Sequence, residues 1–573
     1  MCKKVTLNKF LAFIIISLFI VMLISPIITA IDIKKNNLDI LEHSTLNNYE
    51  QKASSNLIIE NIICGLGITV VIKNNGTYDI SNITLNITIS GGTFIIIPES
   101  VYRIQILYSG QSIESHIRIF GIGLGKNNPY PEITITPRAA HTHAEKRMII
   151  AKIIGPFVKK VGDILNNPNS YDGYTLFSPM MSINTYLIDN NGEIAHKWES
   201  KYTPGLSAYL LENGNLLRTA SPLPNTQFLA GGSGGRVEII DWNGTVIWKF
   251  DYSTENYLLH HDVEMLPNGN ILMIAWDVKN YTEAIDAGRN PNLLPMKIWP
   301  GHIIEVEPTG SEGGNIVWEW YVWDHLIQDF DPTKDNYGVI ADHPELIDIN
   351  YAASLKQDFT HINSIDYNEK YDQILLSVHA FNEIWIIDHS TTTEEAADHS
   401  GGRYGKGGDM LYRWGNPQTY HAGSDIDQML FGQHDAQWIE AGCPGEDNII
   451  IFNNGVRRPG GMYSSVDEII PPIDSDGNYA MDYSSAFGPE GLFWTYTAEN
   501  PKNFFSINIA GAQRLPNGNT LICEGTKGRF FEISLEKETL WEYINNIPNL
   551  NLNHVFKIQR YSPDYPGLKN ILI

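Results

Sequence analysis

Residues 243–250 read NGTVIWKF, a turn dipeptide followed by a strand in which two aromatic rings stand two residues apart. Residues 313–320 (GGNIVWEW) and 408–414 (GDMLYRW) repeat this arrangement. Side chains two residues apart in a strand lie on the same face. Ring pairs with this spacing occur six times, at His196 and Trp198, Trp248 and Phe250, Trp318 and Trp320, Tyr412 and Trp414, Trp494 and Tyr496, and Trp541 and Tyr543. The chain is therefore predicted to be a repeat protein built from strands.

A second repeated pattern marks tight hairpins. It occurs as LLENGNLL (210–217), MLPNGNILMI (265–274) and RLPNGNTLIC (514–523), in which Asn-Gly separates two apolar runs. Asn-Gly favours a two-residue hairpin turn. Six units of short antiparallel strands, spaced irregularly by insertions, predict a six-bladed β-propeller over residues 165–573, because a solenoid needs a tighter period.

The region before the repeats has a different pattern. Residues 65–92 (GLGITVVIKNNGTYDISNITLNITISGG) alternate β-branched residues with Asn-Gly and Gly-Gly turns and have no helical period. Residues 55–150 are predicted to form an immunoglobulin-like β-sandwich. The expected fold class is thus all-β, a six-bladed β-propeller with an N-terminal immunoglobulin-like β-sandwich domain.

The first 30 residues combine three early lysines, a long apolar run and a small residue at Ala30. This pattern predicts a signal peptide over residues 1–30, and an uncleaved N-terminal membrane anchor is the alternative. The polar residues 31–54 are predicted to be a linker. Both the signal peptide and the membrane anchor predict an exported protein, which is extracellular or tethered to the cell surface.

Charge and cysteine content restrict the partners and the cross-links. The 573 residues have a formal net charge of -25, which argues against a nucleic-acid partner because phosphate binding needs a basic face. Beyond the predicted signal segment the cysteines are Cys64, Cys443 and Cys523. One Cys443–Cys523 bridge or two separate buried thiols both fit, and the thiols are favoured.

Three histidines occupy the same phase of the repeat. His261 lies five residues before Leu266, and His361 and His434 hold the corresponding positions of two other units, whereas the first and last copies have Leu206 and Ala510. Histidine is therefore not required by the repeat itself. The first strand of a blade lines the central channel, so the three imidazoles are predicted to converge at one mouth of that channel.

The motifs HHDVEMLPNGNIL, HINSIDYN, GQHDAQW, NNGVRRPGG and GAQRLPNGNTLICEG resemble the exported aryl-sulfate sulfotransferases, which do not use the nucleotide sulfate donor PAPS. The resemblance extends over nearly the whole chain. It implies a six-bladed propeller with a small N-terminal sandwich and transfer of a sulfuryl group from a phenolic sulfate ester to a phenol through a sulfated histidine, without metal or cofactor.

The resemblance also assigns roles to residues. The histidine of QHDA, His434, matches the family's nucleophile, and His261, His361 and Asn363 match its anion-binding partners. We expect His434, His261 and His361 to be catalytic. Substrate binding is expected of Asn363, His379 and His260, the residue before His261 in the same HHD stretch. His379 stands where better-known members have an arginine. Arginine is always charged, whereas histidine at neutral pH is charged only if its pKa is raised, so this difference bears on donor specificity and on the pH optimum. Asp262 and Asp435 follow channel histidines and are predicted to be structural.

Two other classes of function fit the same residues. Three imidazoles with an open fourth position are a zinc-site arrangement, so a metal-dependent hydrolase or lyase is one alternative. A propeller that presents its face to a ligand without chemistry is the other. Turnover of an aryl sulfate without added metal or nucleotide distinguishes the sulfotransferase from both.

Overall fold

The computed structural model describes residues 56–570, except for 93, 125–129, 141, 145, 223–224, 294, 296, 352–356, 481–484 and 550. The predicted signal segment 1–30 and linker 31–54 lie outside this part of the chain. Within the part described, no helix is both long enough and apolar enough to cross a membrane. The protein is nearly all-β, as predicted; the α-helices in the described residues are α1 (Tyr281–Asp286) and α2 (Thr393–Ala396).

The N-terminal strands enclose one hydrophobic core of isoleucine, leucine and valine side chains from residues 57–158. One sheet has the order β6-β2-β1-β9, and β5, β3, β8, β10 and β11 follow one another in a second sheet. Their bounds are β1 Asn56–Gly65, β2 Gly67–Asn74, β3 Ile80–Ser90, β4 Phe94–Ile96, β5 Val101–Leu107, β6 Ser112–Ile117, β7 Phe120–Gly123, β8 Glu132–Arg138, β9 His143–Ala144, β10 Lys146–Gly155 and β11 Phe157–Asn166.

The remaining strands form repeated antiparallel runs. Their bounds are β12 Tyr174–Pro179, β13 Asn184–Ile188, β14 Ile194–Glu199, β15 Thr203–Leu210, β16 Leu216–Ser221, β17 Arg236–Ile240, β18 Val246–Asp251, β19 Tyr257–Met265, β20 Ile271–Asp277, β21 Gly301–Pro308, β22 Gly314–Tyr321, β23 Leu326–Ile327, β24 Ile347–Asp348, β25 Ile362–Asn368, β26 Gln373–Val378, β27 Glu383–Asp388, β28 Tyr412–Trp414, β29 His434–Trp438, β30 Ile449–Asn453, β31 Ser465–Ile469, β32 Trp494–Tyr496, β33 Gly511–Arg514, β34 Thr520–Glu524, β35 Arg529–Ile533, β36 Thr539–Ile544 and β37 Val555–Tyr561.

Pairing within the described residues gives six runs of four strands. Five are consecutive in the chain, namely β15–β18, β19–β22, β25–β28, β29–β32 and β33–β36. The sixth has the order β14-β13-β12-β37, so the last strand completes the sheet that β12 begins. Strand β36 also pairs with β11, which joins the N-terminal sheet to the β33–β36 run.

The six aromatic pairs all lie on the fourth strand of a run, namely β14, β18, β22, β28, β32 and β36. Most of these rings are buried. Five of the tryptophans donate an indole N–H to the connection between the third and fourth strands of the following run, in Trp248 to Gly313 O at 2.9 Å, Trp318 to Thr391 Oγ1 at 3.1 Å, Trp320 to Gly408 O at 2.7 Å, Trp414 to Pro489 O at 2.9 Å and Trp541 to Asn190 O at 2.8 Å. The repeated motif thus joins neighbouring sheets, and Trp541 joins the last run to the first.

Cys443 and Cys523 are separate buried thiols without a disulfide, the arrangement that the sequence favours.

Candidate active site

Four imidazole rings lie next to one another where the first strands of three runs begin. The ring centroids of His261 and His361 are 4.7 Å apart, those of His361 and His379 5.0 Å, and those of His379 and His434 5.4 Å. His261 lies within β19, His361 directly precedes β25, His434 opens β29, and His379 directly follows β26. Four of the six predicted site residues therefore form one contiguous row.

The backbone of the first strands is strained where these histidines are placed. His261 (φ 57°) and His361 (φ 47°) are left-handed, as is Asp435 (φ 53°), which follows His434. Such conformations cost on the order of 1–3 kcal/mol each and cluster at functional sites. In β19 and β29 the pairing register shifts around the histidine, so the strand departs from regular alternation there. The irregular backbone sets the direction of the imidazoles.

His434 is held in one tautomer by its neighbours. Its Nδ1 lies 2.8 Å from Asn454 Oδ1 and 3.2 Å from Gly432 O, and both atoms accept hydrogen bonds only. The Asn454 amide is oriented by Nδ2, which donates to Ser506 O at 2.9 Å. Nδ1 therefore bears the proton and Nε2 keeps a lone pair. Burial lowers the pKa of His434 to about 4, so the ring is neutral at pH 7.

His361 is paired with a buried carboxylate. Its Nδ1 donates to Asp358 Oδ2, and Asp358 Oδ1 accepts from Trp276 Nε1 at 2.8 Å. Burial alone would raise the pKa of Asp358, but the neighbouring His361 charge and these hydrogen bonds hold it below its ordinary value. The ionised Asp358 can balance a positive charge on the His361 ring. Nε2 is the ring nitrogen of His361 that remains for a ligand.

His261 is positioned by its neighbour His260. The two Nδ1 atoms are 2.7 Å apart, and the His260 ring stacks on Trp276 at 3.9 Å between centroids. Burial lowers the pKa of His260 to about 3 and that of His261 well below its ordinary value. A Cβ at Gly232 would lie 2.1 Å from His261 Cε1, so only glycine leaves room for this ring. His260 is 2% exposed and acts on His261 rather than on a ligand.

Asn363 is fully buried on β25 beside the strand that bears His434. Its Nδ2 donates to Gln433 O at 2.8 Å, and its Oδ1 is without a hydrogen-bond partner. The predicted role for this residue is direct contact with an anion. The position of its amide instead favours fixing the backbone immediately before His434.

An apolar group borders the imidazole row. The Phe556 ring of β37 lies 5.9 Å from the His261 ring and 6.2 Å from the His434 ring, between centroids. Phe556 packs with Leu206 and Ile509 in a small cluster. The N–H of Ile509 also points at His434 Nε2, at 3.4 Å. The site thus has one wall of ring nitrogens and one apolar wall.

A buried triad of charged side chains, Lys557, Asp262 and Asp435, connects the strands that bear His261 and His434. Lys557 Nζ lies 2.8 Å from Asp262 Oδ2 and 3.1 Å from Asp435 Oδ1. Burial alone would lower the pKa of Lys557, but the two carboxylates raise it above its ordinary value, so the ammonium stays charged. The structural role predicted for both aspartates agrees with these contacts.

The geometry of the imidazole row differs from that of a metal site. Among the described residues, three histidine, cysteine or carboxylate ligand atoms lie within 4.8 Å of one another only at His325, His399 and Asp409, which belong to other elements. The Nδ1 atoms of His261, His361 and His434 are each hydrogen-bonded to a named neighbour, which directs their rings separately.

Sequence reasoning does not identify Asp358, Asn454, Trp276, Phe556 or Lys557 as members of this site. Asn454 lies in NNGVRRPGG, but nothing in that stretch connects it to a histidine 20 residues earlier. Each partner comes from another strand or connection, so no local motif contains the pair.

A model of the arylsulfotransferase (ASST) family matches residues 164–563. The chain belongs to the arylsulfotransferase family. It is an aryl-sulfate sulfotransferase, and the family implies small-molecule aryl sulfates and phenols as substrates. The match contains the entire imidazole row. No curated protein matched the chain.

Solved structures similar to this arylsulfotransferase are distant. A protein of unknown function from Bacteroides caccae is 11% identical, with a TM-score of 0.38 over 68% of this chain and 99% of that chain. Hydrazine synthase from Kuenenia stuttgartiensis is 13% identical, with a TM-score of 0.31 over 76% and 100%. A catalytically inactive virginiamycin B lyase from Staphylococcus aureus with quinupristin is 10% identical, with a TM-score of 0.31 over 66% and 87%.

Proposed function

We propose that this enzyme transfers a sulfuryl group from a phenolic sulfate ester to a phenol through a covalent sulfohistidine at His434, without PAPS or another cofactor. The observation that supports this most is the state of His434. Its ring is neutral, its proton is held at Nδ1 by Asn454, and its Nε2 lone pair lies beside the other imidazoles. This lone pair accepts a long hydrogen bond from the Ile509 N–H, at 3.4 Å, which attack on sulfur would replace.

In the first half-reaction, His434 Nε2 attacks sulfur in line with the aryl oxygen. The N–S bond forms as the S–O bond to the aryl group breaks, and the phenolate leaves with the bonding electron pair. Phenols ionise near pKa ~10, so the phenolate is a tolerable leaving group. In the second half-reaction, an acceptor phenol passes its proton to a neighbouring imidazole, its oxygen attacks the same sulfur, and the N–S bond breaks with its electron pair returning to Nε2. This proton replaces the one that the departing phenolate takes up in the first half-reaction.

Three neighbouring imidazoles support the charge on the sulfuryl oxygens. Sulfuryl transfer resembles phosphoryl transfer in that negative charge spreads over the equatorial oxygens, so donors fixed around them lower the barrier. His361 is suited to this role because Asp358 holds its Nδ1 and leaves Nε2 for the sulfuryl oxygens. His261 and His379 flank His361 in the row.

The apolar wall of Phe556, Leu206 and Ile509 supports an aromatic substrate. A phenyl ring placed there would have its sulfate ester at the imidazole row, since Phe556 borders both His261 and His434. The apolar side chains and the ring nitrogens of the site correspond to the two halves of an aryl sulfate.

We also propose that the six four-stranded runs are the blades of one closed propeller, preceded by an immunoglobulin-like sandwich. The pairing of β37 with β12 and the bond from Trp541 to Asn190 support ring closure. We further propose that the protein is exported, with residues 1–30 acting as a signal peptide or as a membrane tether.

Mass spectrometry of a rapidly quenched reaction tests the covalent step. We expect a sulfuryl adduct on the peptide that contains His434 when the full chain is mixed with an aryl sulfate in the absence of acceptor, metal and nucleotide. His434→Gln keeps side-chain volume and polarity and should abolish both adduct and turnover. Because His434 is 3% exposed, melting temperature serves as the control for folding.

Retention of wild-type turnover by a folded His434→Gln enzyme would show that another residue accepts the sulfuryl group. Turnover that requires an added divalent metal would favour the hydrolase or lyase alternative. Binding of aryl sulfates without any adduct or turnover would favour a non-catalytic ligand-binding propeller.

A further inference from the structure

A second group of titratable side chains lies outside the imidazole row, on the insertion after β22 and on the connection between α2 and β28. His325 ends the 3-10 turn Val322–His325, and His399 and Asp409 lie between α2 and β28. One ligand atom from each of the three residues lies within 4.8 Å of the other two. None of these residues contributes to the proposed sulfotransfer.

The hydrogen-bonding partners of His325 direct its two ring nitrogens at different oxygens. Its Nε2 lies 2.9 Å from Ala396 O, which can only accept, so Nε2 bears a proton. The other ring nitrogen of His325, Nδ1, lies 2.8 Å from Asp409 Oδ1. Nδ1 of His399 approaches the same oxygen, again at 2.8 Å. Two ring nitrogens thus converge on one carboxylate oxygen at a point that a cation would satisfy.

The buried part of this group is rigid. His325 is fully buried and stacks on Trp320 with an interplanar angle of 9°. Trp320 Nε1 donates to Gly408 O at 2.7 Å. A Cβ at Gly408 would lie 2.6 Å from His325 Nε2, so this chain segment can approach the imidazole only with glycine at that position. A carbonyl that fixes the tautomer of a ligating histidine is typical of metal sites.

The accessible part of the group provides an entry path. The His399 side chain is 58% exposed, whereas that of Asp409 is 7% exposed. An ion can therefore reach the site from solvent when the exposed His399 side chain swings outward, and His399 can then close on the ion. Ligand atoms of a tetrahedral zinc site stand roughly 3.3 Å apart at the usual bond lengths, so binding requires only a small opening at the exposed histidine.

We propose that His325, His399 and Asp409 bind one divalent transition-metal ion, with zinc as the favoured class and water in the remaining position. Two imidazole nitrogens and one carboxylate oxygen suit zinc, whereas calcium and magnesium prefer oxygen ligands throughout. The ion joins the connection before β28 to the turn after β22. Its role is structural, since it lies on elements that do not bear the imidazole row.

Zinc titration of the full chain tests the site. The protein is first stripped with EDTA, dialysed and examined by calorimetry and by elemental analysis with zinc chloride as the only added ligand. We expect the wild type to bind one zinc ion per chain and His399→Ala to bind zinc at least a hundredfold more weakly. Zinc should raise the melting temperature of the wild type by several degrees and leave that of the variant unchanged. His399 is exposed, so this variant should fold.

His343→Ala is the matched control, because His343 is also a half-exposed histidine bound to a carboxylate, Glu345, on the same insertion. It should bind zinc as the wild type does. Zinc bound at the imidazole row would still be found in His399→Ala, so the variant distinguishes that zinc from zinc bound at the proposed site. Equal zinc content and equal thermal shift in the wild type and His399→Ala would overturn the proposal and leave the cluster as a protonated histidine–aspartate network. Neither readout depends on sulfotransfer, so failure here does not affect the proposed function.

Discussion

At the scale of single residues, the chemistry depends on the protonation of His434. Burial first, and then the charge of His361, place its pKa far below the 6.5 of an exposed histidine, although Asn454 opposes the shift. The low value keeps the nucleophile unprotonated throughout the neutral range. It also makes the direction of a pH effect predictable.

We expect the rate of sulfuryl uptake from the donor to lose the contribution of His434 only below pH about 4. A lowered pKa means that the reactive neutral form persists above pH 4 and is lost as pH falls through that value. Rapid-quench labelling after a pH jump, with circular dichroism to monitor folding, measures this dependence. The His379→Arg enzyme removes one other imidazole from the row. A midpoint near pH 6.5 in that variant would contradict the neutral, buried nucleophile.

His379 is the second residue whose role can be isolated. If it stabilises charge on the sulfuryl oxygens, His379→Ala should slow adduct formation by about 10²–10³, the effect of losing a single donor worth ~2.7–4 kcal/mol. His379→Arg should retain or raise the rate because the charge is then permanent. Single-turnover kinetics distinguish the two variants. An unchanged rate in His379→Ala would assign this ring to packing alone.

At the scale of elements, strands β19, β29 and β37 are joined by one ammonium group. Lys557 is 7% exposed and contacts both Asp262 and Asp435. The residue preceding each aspartate is a histidine of the imidazole row. The triad therefore couples the packing of three strands to the position of two site residues.

Lys557→Met should lower the free energy of unfolding by about 3–5 kcal/mol, because two buried carboxylates lose their common counter-ion. Urea unfolding measures this change. Combining Lys557→Met with Asp262→Asn and Asp435→Asn should recover much of the loss, since no buried charge remains unpaired. Lys370→Met is the control, because Lys370 pairs with Asp447 at the surface, where such a pair contributes about 0–1 kcal/mol. A loss no larger than that of the control would mean that the triad is not needed for stability.

At the scale of the whole molecule, the last strand completes the first sheet. Strand β37 pairs with β12 through Tyr174 and Tyr561, Thr175 and Arg560, Leu176 and Gln559, and Phe177 and Ile558. It buries Val555, Phe556 and Ile558. Each such side chain contributes about 1.5–3 kcal/mol on burial. The same strand supplies Phe556 to the pocket and Lys557 to the triad.

A chain that ends at Asn553 should therefore be poorly folded and inactive. Adding a peptide of residues 554–570 in trans should restore both the melting transition and sulfotransfer, whereas the same peptide with Phe556→Asp should not. Circular dichroism and an aryl-sulfate assay measure the outcome. Full activity of the truncated chain without peptide would show that closure by β37 is not required.

The sequence alone determined the repeating part of the fold. Pairs of aromatic residues two positions apart mark the fourth strand of all six runs. Two residues is the side-chain period of a strand, so both rings of a pair lie on one face. The shared phase of His261, His361 and His434 likewise indicated that these residues belong to the first strands of three runs; His434 opens β29, His361 directly precedes β25 and His261 lies within β19. Local periodicity is a property of neighbouring residues, so it can be read without knowledge of the rest of the chain.

Only the tertiary structure decided which groups meet. Asn454 fixes the tautomer of His434, Asp358 pairs with His361, and Asp409 lies 84 residues from His325 in the chain. The pairing of β11 with β36 connects residues 164–166 to residues 541–543. Such contacts depend on how the sheets pack against one another. The number of residues between a histidine and its partner depends on loop lengths that follow no fixed rule, so no sequence spacing reveals the pair. The positions of the histidines were thus predictable from the sequence, whereas their protonation states follow from partners that only folding brings together.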